Sequence, residues 1–377
     1  MEISKGLEGI YAAESAISSI DGKRGILRYW GYDINDLAKN SNFEEVCYLF
    51  LYGKLPKKNE LKNFTSKLKE ERKLPLQIIK IIKLAPKNSK TMAVLRTAVS
   101  ALGLFDKNSD NLSKKNIIDK NIKLISQIPI IIAYFDRIRK NKPIIKPKKT
   151  LNHATNFLYM LGNKIDEEDS KIFDICLMLH AEHELNASVF SARVTASTLS
   201  DIYSAITSAV GTLKGELHGG ANEKVLQMIK EIGDEKNVYG YLQKKLDSRE
   251  KIMGFGHRVY RTKDPRAYIL EKFSKRLSEK YNTNLYNISK KIEEFMHNQN
   301  KLTSKGIFVN VDFYSASVYS NLGISHDLFT TIFALARMPG WAAHLLEQYS
   351  DNRLIRPIAK YIGVKSRNYI PIGKRGR

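Results

Sequence analysis

The sequence predicts an all-α, multi-helical fold with one small β-hairpin near its N-terminus. Apolar residues recur at three- and four-residue spacing through most of the 377 positions, which is typical of buried helix faces. Hairpin features occur where Ala16–Ile20 and Ile26–Tyr29 flank Asp21-Gly22, a pair suited to the positive φ angles of a tight turn. One further short segment, Ile307–Val311, has the composition of a strand.

Five long segments are predicted as helices, because their apolar residues would share one face. They are Phe43–Tyr52, Glu60–Leu74, Thr91–Phe105, Ile122–Arg139 and Lys171–His180. Ser188–Leu213 mixes Ala, Ser and Thr with periodic large apolar residues, and small residues let helix backbones approach closely. We therefore expect it to be deeply packed, either within one subunit or across a subunit interface. Gly and Pro predict breaks at Pro143–Pro147, Gly215–Gly220, Gly254–Gly256 and Pro339-Gly340.

Basic residues dominate the charge of the chain: 62 Lys and Arg against 39 Asp and Glu give a net charge of +23. This balance favours anionic partners, which include nucleic acid, acidic membrane surfaces and small polyanions. The basic residues are dispersed along the chain, and no RNP-like, zinc-finger or aromatic-interleaved basic motif accompanies them. We therefore expect small anions rather than nucleic acid.

The location of the protein is predicted from what the sequence lacks. No apolar run approaches the roughly 20 residues of a membrane span. The first residues, MEISKGLEGIYAAES, are partly acidic and contain no apolar signal segment. Cys47 and Cys176 both lie in apolar helical patterns, which favours buried thiols over a disulfide. A cytoplasmic protein without a membrane partner is expected.

The motif LHAEHELNAS ends an apolar helix and contains His180 and His183. A spacing of three would place both imidazoles on one helical face, as a metal site requires. No second Cys/His pair with ligand spacing occurs in the sequence. A pair of hydrogen-bonding imidazoles is therefore favoured, and no metal is expected.

His218 lies in KGELHGGAN, where two glycines allow a substrate or backbone to approach closely. The following segment, Glu223–Ile232, is predicted to be a helix. The positive end of its dipole would disfavour a charged imidazole, and a neutral one can donate a hydrogen bond to a developing enolate. The alternative is a histidine that a loop merely tolerates.

The motif MGFGHRVYRTKDPRA combines glycines, His257 and several cations. Backbone N–H groups and guanidinium groups together form a good anion site. Gly254-Phe255-Gly256 alone is weak evidence for nucleotide binding, because no βαβ context precedes it. A basic loop at the start of a helix is the alternative.

Three further residues are candidates on local grounds. Asp312, in GIFVNVDFYSAS, follows apolar residues that would raise the pKa of a catalytic base, although a helix N-cap explains it equally simply. Arg337 and Arg356 lie among apolar residues, where a guanidinium needs an anion. That anion could be a substrate carboxylate or an internal Asp or Glu.

Together these segments resemble the citrate synthase family, over nearly the whole chain and in the family's order. GFGHRVYRTKDPR is similar to the family signature, and LHAEHELNAS, LKGELHGGAN, NVDFYSA and the ARMPGW…LIRP frame match family segments. The opening residues and YGKLP are also similar, whereas residues 106–150 carry least of the resemblance. Length and motifs are most similar to the short dimeric enzymes of archaea and some bacteria.

The resemblance implies a role for each matching residue. His218, His257 and Asp312 would be catalytic. Oxaloacetate would be held by His183, His257, Arg266, Arg337 and Arg356, with Arg356 contributed by the second subunit of a homodimer. Weaker expectations for CoA contacts fall on Gly254, Phe255, Gly256, Arg258, Lys263, Lys305 and Asn310.

The same resemblance implies the fold and the reaction. A large helical domain would comprise residues 1–220 and 323–377, and a small mobile one residues 221–322. The reaction would be the condensation of acetyl-CoA, as co-substrate, with oxaloacetate, followed by hydrolysis of citryl-CoA to citrate and CoA. No cofactor would be permanently bound. The alternatives are a 2-methylcitrate synthase that uses propionyl-CoA and an enzyme that accepts both acyl groups, since one methylene is worth only about 1–3 kcal/mol in a pocket.

Overall fold

Seventeen α-helices and a three-stranded sheet form the part of the chain that the computed structural model describes, residues 3–375. The helices are α1 Ile34–Asn40, α2 Phe43–Tyr52, α3 Lys58–Glu70, α4 Leu76–Leu84, α5 Thr91–Leu104, α6 Lys114–Arg139, α7 His153–Leu161, α8 Glu167–His180, α9 Ala187–Ser197, α10 Ile202–Leu213, α11 Ala221–Ile232, α12 Val238–Asp247, α13 Pro265–Lys280, α14 Leu285–His297, α15 Asn300–Thr303, α16 Val311–Asn321 and α17 Phe329–Ser350. The all-α prediction is confirmed.

The hairpin forms where the sequence predicts it, but its turn differs. Strands β1 Ser18–Asp21 and β2 Ile26–Tyr29 pair antiparallel with Ile20 opposite Leu27, and a short β3, Tyr32–Asp33, extends the sheet. The positive φ angles predicted for Asp21-Gly22 are not found at these two residues. Residues 22–25 form the loop that joins the two strands. The carboxylate of Asp21, just before the loop, accepts the backbone N–H groups of Lys23 and Arg24, and the residue with a left-handed backbone conformation is Gly25 (φ 65°).

Helix boundaries follow local capping signals. Asn42 caps α2 by accepting the N–H of Glu45, so the predicted Phe43–Tyr52 helix has the observed bounds. The predicted segment Ser188–Leu213 contains two helices, because residues 198–201 turn the chain and Asp201 caps α10. The strand predicted at Ile307–Val311 is reduced to one bridge between Phe255 and Val309.

The predicted break at Pro339-Gly340 is wrong, because α17 continues through both residues. The glycine has a packing role there. A Cβ at Gly340 would lie 2.3 Å from the carbonyl oxygen of Ala181 and 2.4 Å from the Glu182 carboxylate. Gly340 thus lets α17 approach the loop that follows α8.

The helices pack in two groups. α17 lies at the centre of the first, against α2, α5, α6, α8, α9 and α10, and its Trp341 is fully buried. α11, α12, α13, α14 and α16 pack on one another, and contacts of α11 with α17 and of α13 with α1 and α8 join the groups. Cys47 and Cys176 are buried free thiols. Within residues 3–375, every helix is too short or too polar to cross a bilayer.

Candidate active site

The loop between α8 and α9 brings the first candidate residues into place. α8 ends at His180, and His183 lies beyond it in the loop, so the expectation that both share one helical face is wrong. His180 is fully buried and its Nδ1 is 2.8 Å from the carbonyl oxygen of Cys176. His183 instead points its Nε2 toward the hydroxyl of Tyr260, 3.3 Å away.

His183, His257 and Tyr260 form one aromatic cluster, with ring centroids 4.8 to 5.4 Å apart. Nδ1 of His257 accepts the backbone N–H groups of Val259 and Tyr260 at 3.0 and 3.1 Å, which leaves its proton on Nε2. Burial, assisted by the charge of Arg266, lowers the pKa of His257 to about 4 and that of His183 well below its usual value. Both imidazoles are therefore neutral at pH 7.

The loop that carries His257 is fixed to the segment before α16. Backbone bonds run from Gly256 N–H to the Phe308 carbonyl (2.8 Å) and from Asn310 N–H to the Gly254 carbonyl (2.9 Å). The Asn310 amide also donates to the carbonyl of Gly256. Gly254 has φ 83°, and a Cβ there would lie 2.7 Å from the ring of Phe313, so a larger residue does not fit. Asn310 thus positions the glycine loop.

Asp312 is the second residue of α16, and its backbone N–H is capped by Asn310. The alternative reading of Asp312 as the N-cap is therefore wrong. Among residues 3–375, its carboxylate makes no hydrogen bond or ion pair. Burial raises the pKa of Asp312 to about 6, against the opposing charges of Arg266 and Arg337. A carboxylate with this pKa is suited to act as a general base near neutral pH.

His218 lies just before α11, yet the helix terminus it meets belongs to α9. Its Nε2 is 2.9 Å from the hydroxyl of Ser188 and 3.3 Å from the Ser188 backbone nitrogen, in the first turn of α9. From the sequence, the dipole of α11 was expected to keep the imidazole neutral. Burial is the main cause that lowers the pKa of His218 to about 4, followed by the charge of Arg337. The predicted neutral imidazole is thus present for a different reason.

Arg266 and Arg337 are both buried, but only one has a counter-ion. Arg266 pairs with Asp264 through Nε–Oδ1 at 2.9 Å and Nη2–Oδ2 at 2.6 Å. Arg337 is 1% exposed, donates from Nε to the His180 carbonyl at 2.8 Å and lies over the ring of Phe333. Among the described residues no carboxylate pairs with it, and burial lowers its pKa to about 10. An unpaired buried guanidinium is a site for an anion.

Arg356 is not brought to this cluster by its own chain. Residues 351–375 are nearly all exposed and mostly lack regular secondary structure, and Ile355 N–H donates to the Ser197 hydroxyl at the end of α9. Within the same chain, no hydrogen bond or ion pair joins Arg356 to the other candidate residues in residues 3–375. Arg356 could therefore contribute to a site of this kind only in a second copy of the chain.

Of the basic residues expected to contact CoA, Arg258 and Lys305 are exposed. The geometry does not favour Lys263 as a contact for a CoA phosphate. Its ammonium lies between Glu271 and Glu293, at 2.5 and 2.6 Å, and only 11% of the side chain is exposed. Two carboxylates already neutralise it. Arg261 lies nearer the surface, with its Cδ 3.0 Å from where a Cβ of Gly306 would be, next to Lys305.

Several residues of the site carry no clear signal in the sequence. Tyr260, Ser188 and Tyr29 contribute hydroxyl groups to contacts that join distant segments. Asp264 is an exception, since its place two residues before Arg266 allows the observed pair. Such a pairing could have been inferred from the Asp-Pro-Arg motif.

His183, His257 and Asp264 could each offer one ligand atom to a metal ion, and these atoms lie within 4.8 Å of one another. Both oxygens of Asp264 already bond Arg266, however. The charges of Arg266 and Arg337 both lower the pKa of His183, so the local field is positive. The donor set therefore suits an anion better than a cation.

The arrangement combines a base, two neutral imidazole donors and buried guanidinium groups. A base of raised pKa can remove a proton from a weak carbon acid if a donor stabilises the enolate that forms. Guanidinium groups bind carboxylates in a defined orientation. The chemistry that fits is carbon–carbon bond formation between an activated acyl group and a bound carboxylic acid.

Comparison with known proteins agrees with this chemistry. The family model described as "Citrate synthase, C-terminal domain" matches residues 6–358. Citrate synthase 2 of Bacillus subtilis is 48% identical over 100% of both chains, and the citrate synthase of Haloferax volcanii is 45% identical over 99% of both. A 2-methylcitrate synthase of Shewanella oneidensis is 42% identical over 98% of this chain and 97% of its own.

Solved structures agree with the sequence relatives. Citrate synthase from Pyrobaculum aerophilum superposes with a TM-score of 0.93 at 38% identity, covering 99% of this chain and 95% of the other. A ternary complex of carboxymethyl coenzyme A and oxaloacetate with citrate synthase from Thermoplasma acidophilum gives a TM-score of 0.94 at 37% identity, covering 99% of this chain and 100% of the other. The similarity therefore extends over the entire fold.

Proposed function

Because the chain belongs to the citrate synthase family, we propose that its site condenses acetyl-CoA with oxaloacetate and then hydrolyses citryl-CoA to citrate and CoA. One observation supports this most directly: a carboxylate with pKa near 6 shares its site with two neutral histidines and an unpaired buried guanidinium. Chemically the protein would be an acyltransferase that converts the acyl group to an alkyl group.

Asp312 would begin the reaction by taking a proton from the methyl group of acetyl-CoA. His218 would donate a hydrogen bond from Nδ1 to the thioester oxygen, since its Nε2 edge is occupied by Ser188. One such donor to a developing oxyanion is typically worth about 3–4 kcal/mol. The enol carbon would then attack the ketone of oxaloacetate while His257 donates its Nε2 proton to the forming alkoxide. Water would cleave the citryl-CoA thioester.

Oxaloacetate would bind between Arg266, Arg337, His183 and His257. Arg337 supports this assignment most strongly, because its guanidinium is buried and forms no ion pair with a carboxylate of the described residues. Arg266 already bonds Asp264, so we propose that it uses its remaining N–H groups for the substrate.

Arg356 would complete the pocket from the second subunit of a homodimer. The segment that carries it exposes many large apolar side chains, which indicates a partner surface. They include Leu354 (56% exposed), Ile358 (75%), Tyr361 (74%), Ile362 (91%) and Tyr369 (81%). A second copy that covers these side chains would also receive the guanidinium.

CoA would lie along the loop of Gly254, Phe255 and Gly256, which Asn310 holds in place. Arg258 and Lys305 are exposed and unpaired in the described part of the chain, so they can contact its phosphates. We replace Lys263 by Arg261 in this role, because Lys263 is neutralised by Glu271 and Glu293.

We further propose that residues 221–322 form a small domain that closes on a large one, residues 1–220 and 323–377. His218 and Asp312 lie near the two points where the chain passes between them, so closure would assemble the base and the donor and exclude water. Oxaloacetate would bind first and favour closure. Acetyl-CoA should then bind more tightly to the oxaloacetate complex than to the free enzyme.

A thiol-release assay with oxaloacetate and either acetyl-CoA or propionyl-CoA tests the proposal. We expect CoA release with a higher kcat/KM for acetyl-CoA, because the citrate synthases of Bacillus subtilis and Haloferax volcanii are 48% and 45% identical to this chain and the 2-methylcitrate synthase of Shewanella oneidensis is 42% identical. A higher kcat/KM for propionyl-CoA would assign the chain to the alternative function. No thiol release with either substrate would refute the condensation itself.

A further inference from the structure

A cleft of about 890 Å³ separates the start of α5 from α11, outside the proposed active site. One wall consists of residues 87–92, before and within the first turn of α5. The opposite wall is formed by Lys214, Glu216 and Gly220 and by one face of α11, from Glu223 to Glu231. None of the catalytic or substrate-binding residues proposed above lines it. The cleft therefore spans the two groups of helices at a separate place.

The cleft is rich in cations, and four of its six basic side chains form no ion pair within the described part of the chain. Six basic side chains line it, namely Lys87, Lys90, Arg139, Lys214, Lys224 and Lys230. Arg139 pairs with Asp136 and Asp327, Lys224 pairs with Glu216, and Lys87 donates to the amide of Asn141. Among residues 3–375, Lys90, Lys214 and Lys230 form no ion pair, and all three are exposed.

Four acidic residues also line the cleft, against six basic ones, and within residues 3–375 none of the four forms an ion pair with these three lysines. Glu223 accepts a hydrogen bond from the hydroxyl of Thr330. Glu231 accepts from the hydroxyl of Tyr241 and the amide of Gln227. Asp327 and Glu216 are already paired, as described above. The surplus charge of the cleft is therefore positive.

Two helices begin at the cleft without a side-chain cap. α5 follows Lys90 and α11 follows Gly220, and neither residue bonds a first-turn N–H group through its side chain. Unsatisfied N–H groups at a helix N-terminus attract phosphate and carboxylate oxygens. The two helices have 14 and 12 residues, so each carries a full dipole.

Thr91 adds an independent indication of a ligand. This residue lines the cleft and is only 2% exposed. Its hydroxyl has no hydrogen-bond partner among residues 3–375. A buried hydroxyl without a partner is unfavourable, and an oxygen-rich ligand in the cleft would satisfy it.

We propose that this cleft is a second ligand site, specific for a small polyphosphate that bridges α5 and α11. Three separated lysines and two helix N-termini require several negative oxygens in one compact molecule, as a chain of phosphates provides. A bound polyphosphate would fix the distance between the two helices. Because the proposed domain closure changes the distance between α5 and α11, a bound polyphosphate would regulate that closure. This regulatory role rests on the proposed function, whereas the binding of polyphosphate does not.

Calorimetric titration of the full-length protein with inorganic tripolyphosphate at low ionic strength tests the site without any assay of activity. We compare the wild type with the triple variant Lys90→Gln/Lys214→Gln/Lys230→Gln. The matched control is Lys62→Gln/Lys80→Gln/Lys149→Gln, which removes three exposed lysines elsewhere. We expect the cleft variant to bind at least about tenfold more weakly and the control to bind within about twofold of wild type.

Equal weakening in both triple variants would show that only net charge matters and would overturn the proposal. A loss of binding confined to Arg258→Gln/Lys305→Gln would place the ligand at the proposed CoA phosphates and overturn it as well. The uncharged change Thr91→Val should weaken tripolyphosphate binding about threefold or more, because its hydroxyl loses the ligand. Sulfate binding as tight as that of tripolyphosphate would exclude a polyphosphate-specific site. Circular dichroism confirms that each variant is folded.

Discussion

Nε2 of His218 lies 2.9 Å from the hydroxyl oxygen of Ser188, in the first turn of α9. The Ser188 backbone nitrogen is 3.3 Å from the same imidazole atom, and Nε1 of Trp341 donates to the Ser188 hydroxyl at 3.1 Å. An N–H group that points at Nε2 places the imidazole proton on Nδ1. Ser188 thus leaves the Nδ1 edge of His218 as the one that can donate a hydrogen bond to the proposed substrate, and Trp341 links Ser188 to α17.

Ser188→Ala should therefore lower kcat about tenfold while the KM for oxaloacetate changes little. The substitution removes one of two contacts to Nε2 and leaves the Trp341 N–H without its acceptor. Steady-state thiol release gives the rates, and 15N chemical shifts of His218 report its tautomer. Ser191→Ala is the control, because Ser191 is on the same helix and bonds Ser208 and Thr212 instead. An unchanged kcat with an unchanged tautomer would show that Ser188 does not position His218.

Asp312→Asn should reduce kcat/KM by about 100- to 10,000-fold, because the base is lost. In the wild type, the acidic limb of the kcat/KM profile should have its midpoint near pH 6, where Asp312 ionises. The variant should lose this limb. Asp110→Asn, at an exposed position, is the control and should keep both rate and profile.

The fold of Asp312→Asn should be intact. The folded pKa of Asp312 is raised above its unfolded value near 3.8, so ionisation opposes folding as the pH rises from 4 through 6. A neutral Asn avoids this cost, and the Tm at pH 7 should be at or above that of wild type. A variant that is inactive because it unfolds would contradict the catalytic assignment.

What the sequence could predict depended on how local the contacts are. The helix Phe43–Tyr52 was correctly bounded because its cap, Asn42, immediately precedes it. The pairing of Lys263 with Glu293 spans 30 residues, so its motif alone suggested a free cation. The same limit made Pro339-Gly340 look like a break, since only the fold brings Ala181 against Gly340. Local patterns thus predicted single helices, whereas the pairings within the candidate site required the tertiary structure.

Arg337→Met should separate binding from stability. Without a ligand the wild-type guanidinium is buried and unpaired, so its removal should leave the Tm unchanged or higher. The KM for oxaloacetate should rise at least about 100-fold, because a charge-assisted pair to a carboxylate is lost. Thermal unfolding and steady-state kinetics on the same preparation provide both values. A lower Tm with an unchanged KM would mean that Arg337 is structural.

Arg266→Met should behave in the opposite way and serves as the comparison. Its removal leaves the buried carboxylate of Asp264 unpaired, which should destabilise the fold by about 3–5 kcal/mol. The double variant Asp264→Asn/Arg266→Met removes that charge and should recover much of the lost stability. Denaturant unfolding measures all three proteins. Equal losses in the single and double variants would show that the ion pair is not the cause.

Asp174→Asn should stabilise the protein at alkaline pH. Asp174 is 6% exposed, and burial together with the nearby charge of Glu44 raises its pKa well above the usual value near 3.8. Its ionisation therefore opposes folding, and stability is lost as the pH rises above 4. At pH 8 the Tm of Asp174→Asn should exceed that of wild type by at least about 2 °C, and at pH 5 the difference in Tm should be smaller.

Thermal unfolding of both proteins between pH 5 and pH 8 measures this difference. Asp110→Asn changes the same net charge at an exposed position and should follow the wild-type curve. Parallel Tm curves for wild type and Asp174→Asn would mean that Asp174 does not titrate in this range.

The proposed exchange of Arg356 between subunits can be tested by complementation. Arg356→Ala should abolish most activity, because a proposed oxaloacetate ligand is lost. His218→Ala should also abolish most activity, because the proposed donor to the thioester oxygen is lost. If Arg356 serves the partner's site, a mixed dimer has one site with both defects and one intact site. Co-expression of the two inactive chains should then restore about one quarter of wild-type activity, since half of the dimers are mixed. If Arg356 served the site of its own chain, both sites of every mixed dimer would be defective and no activity would return.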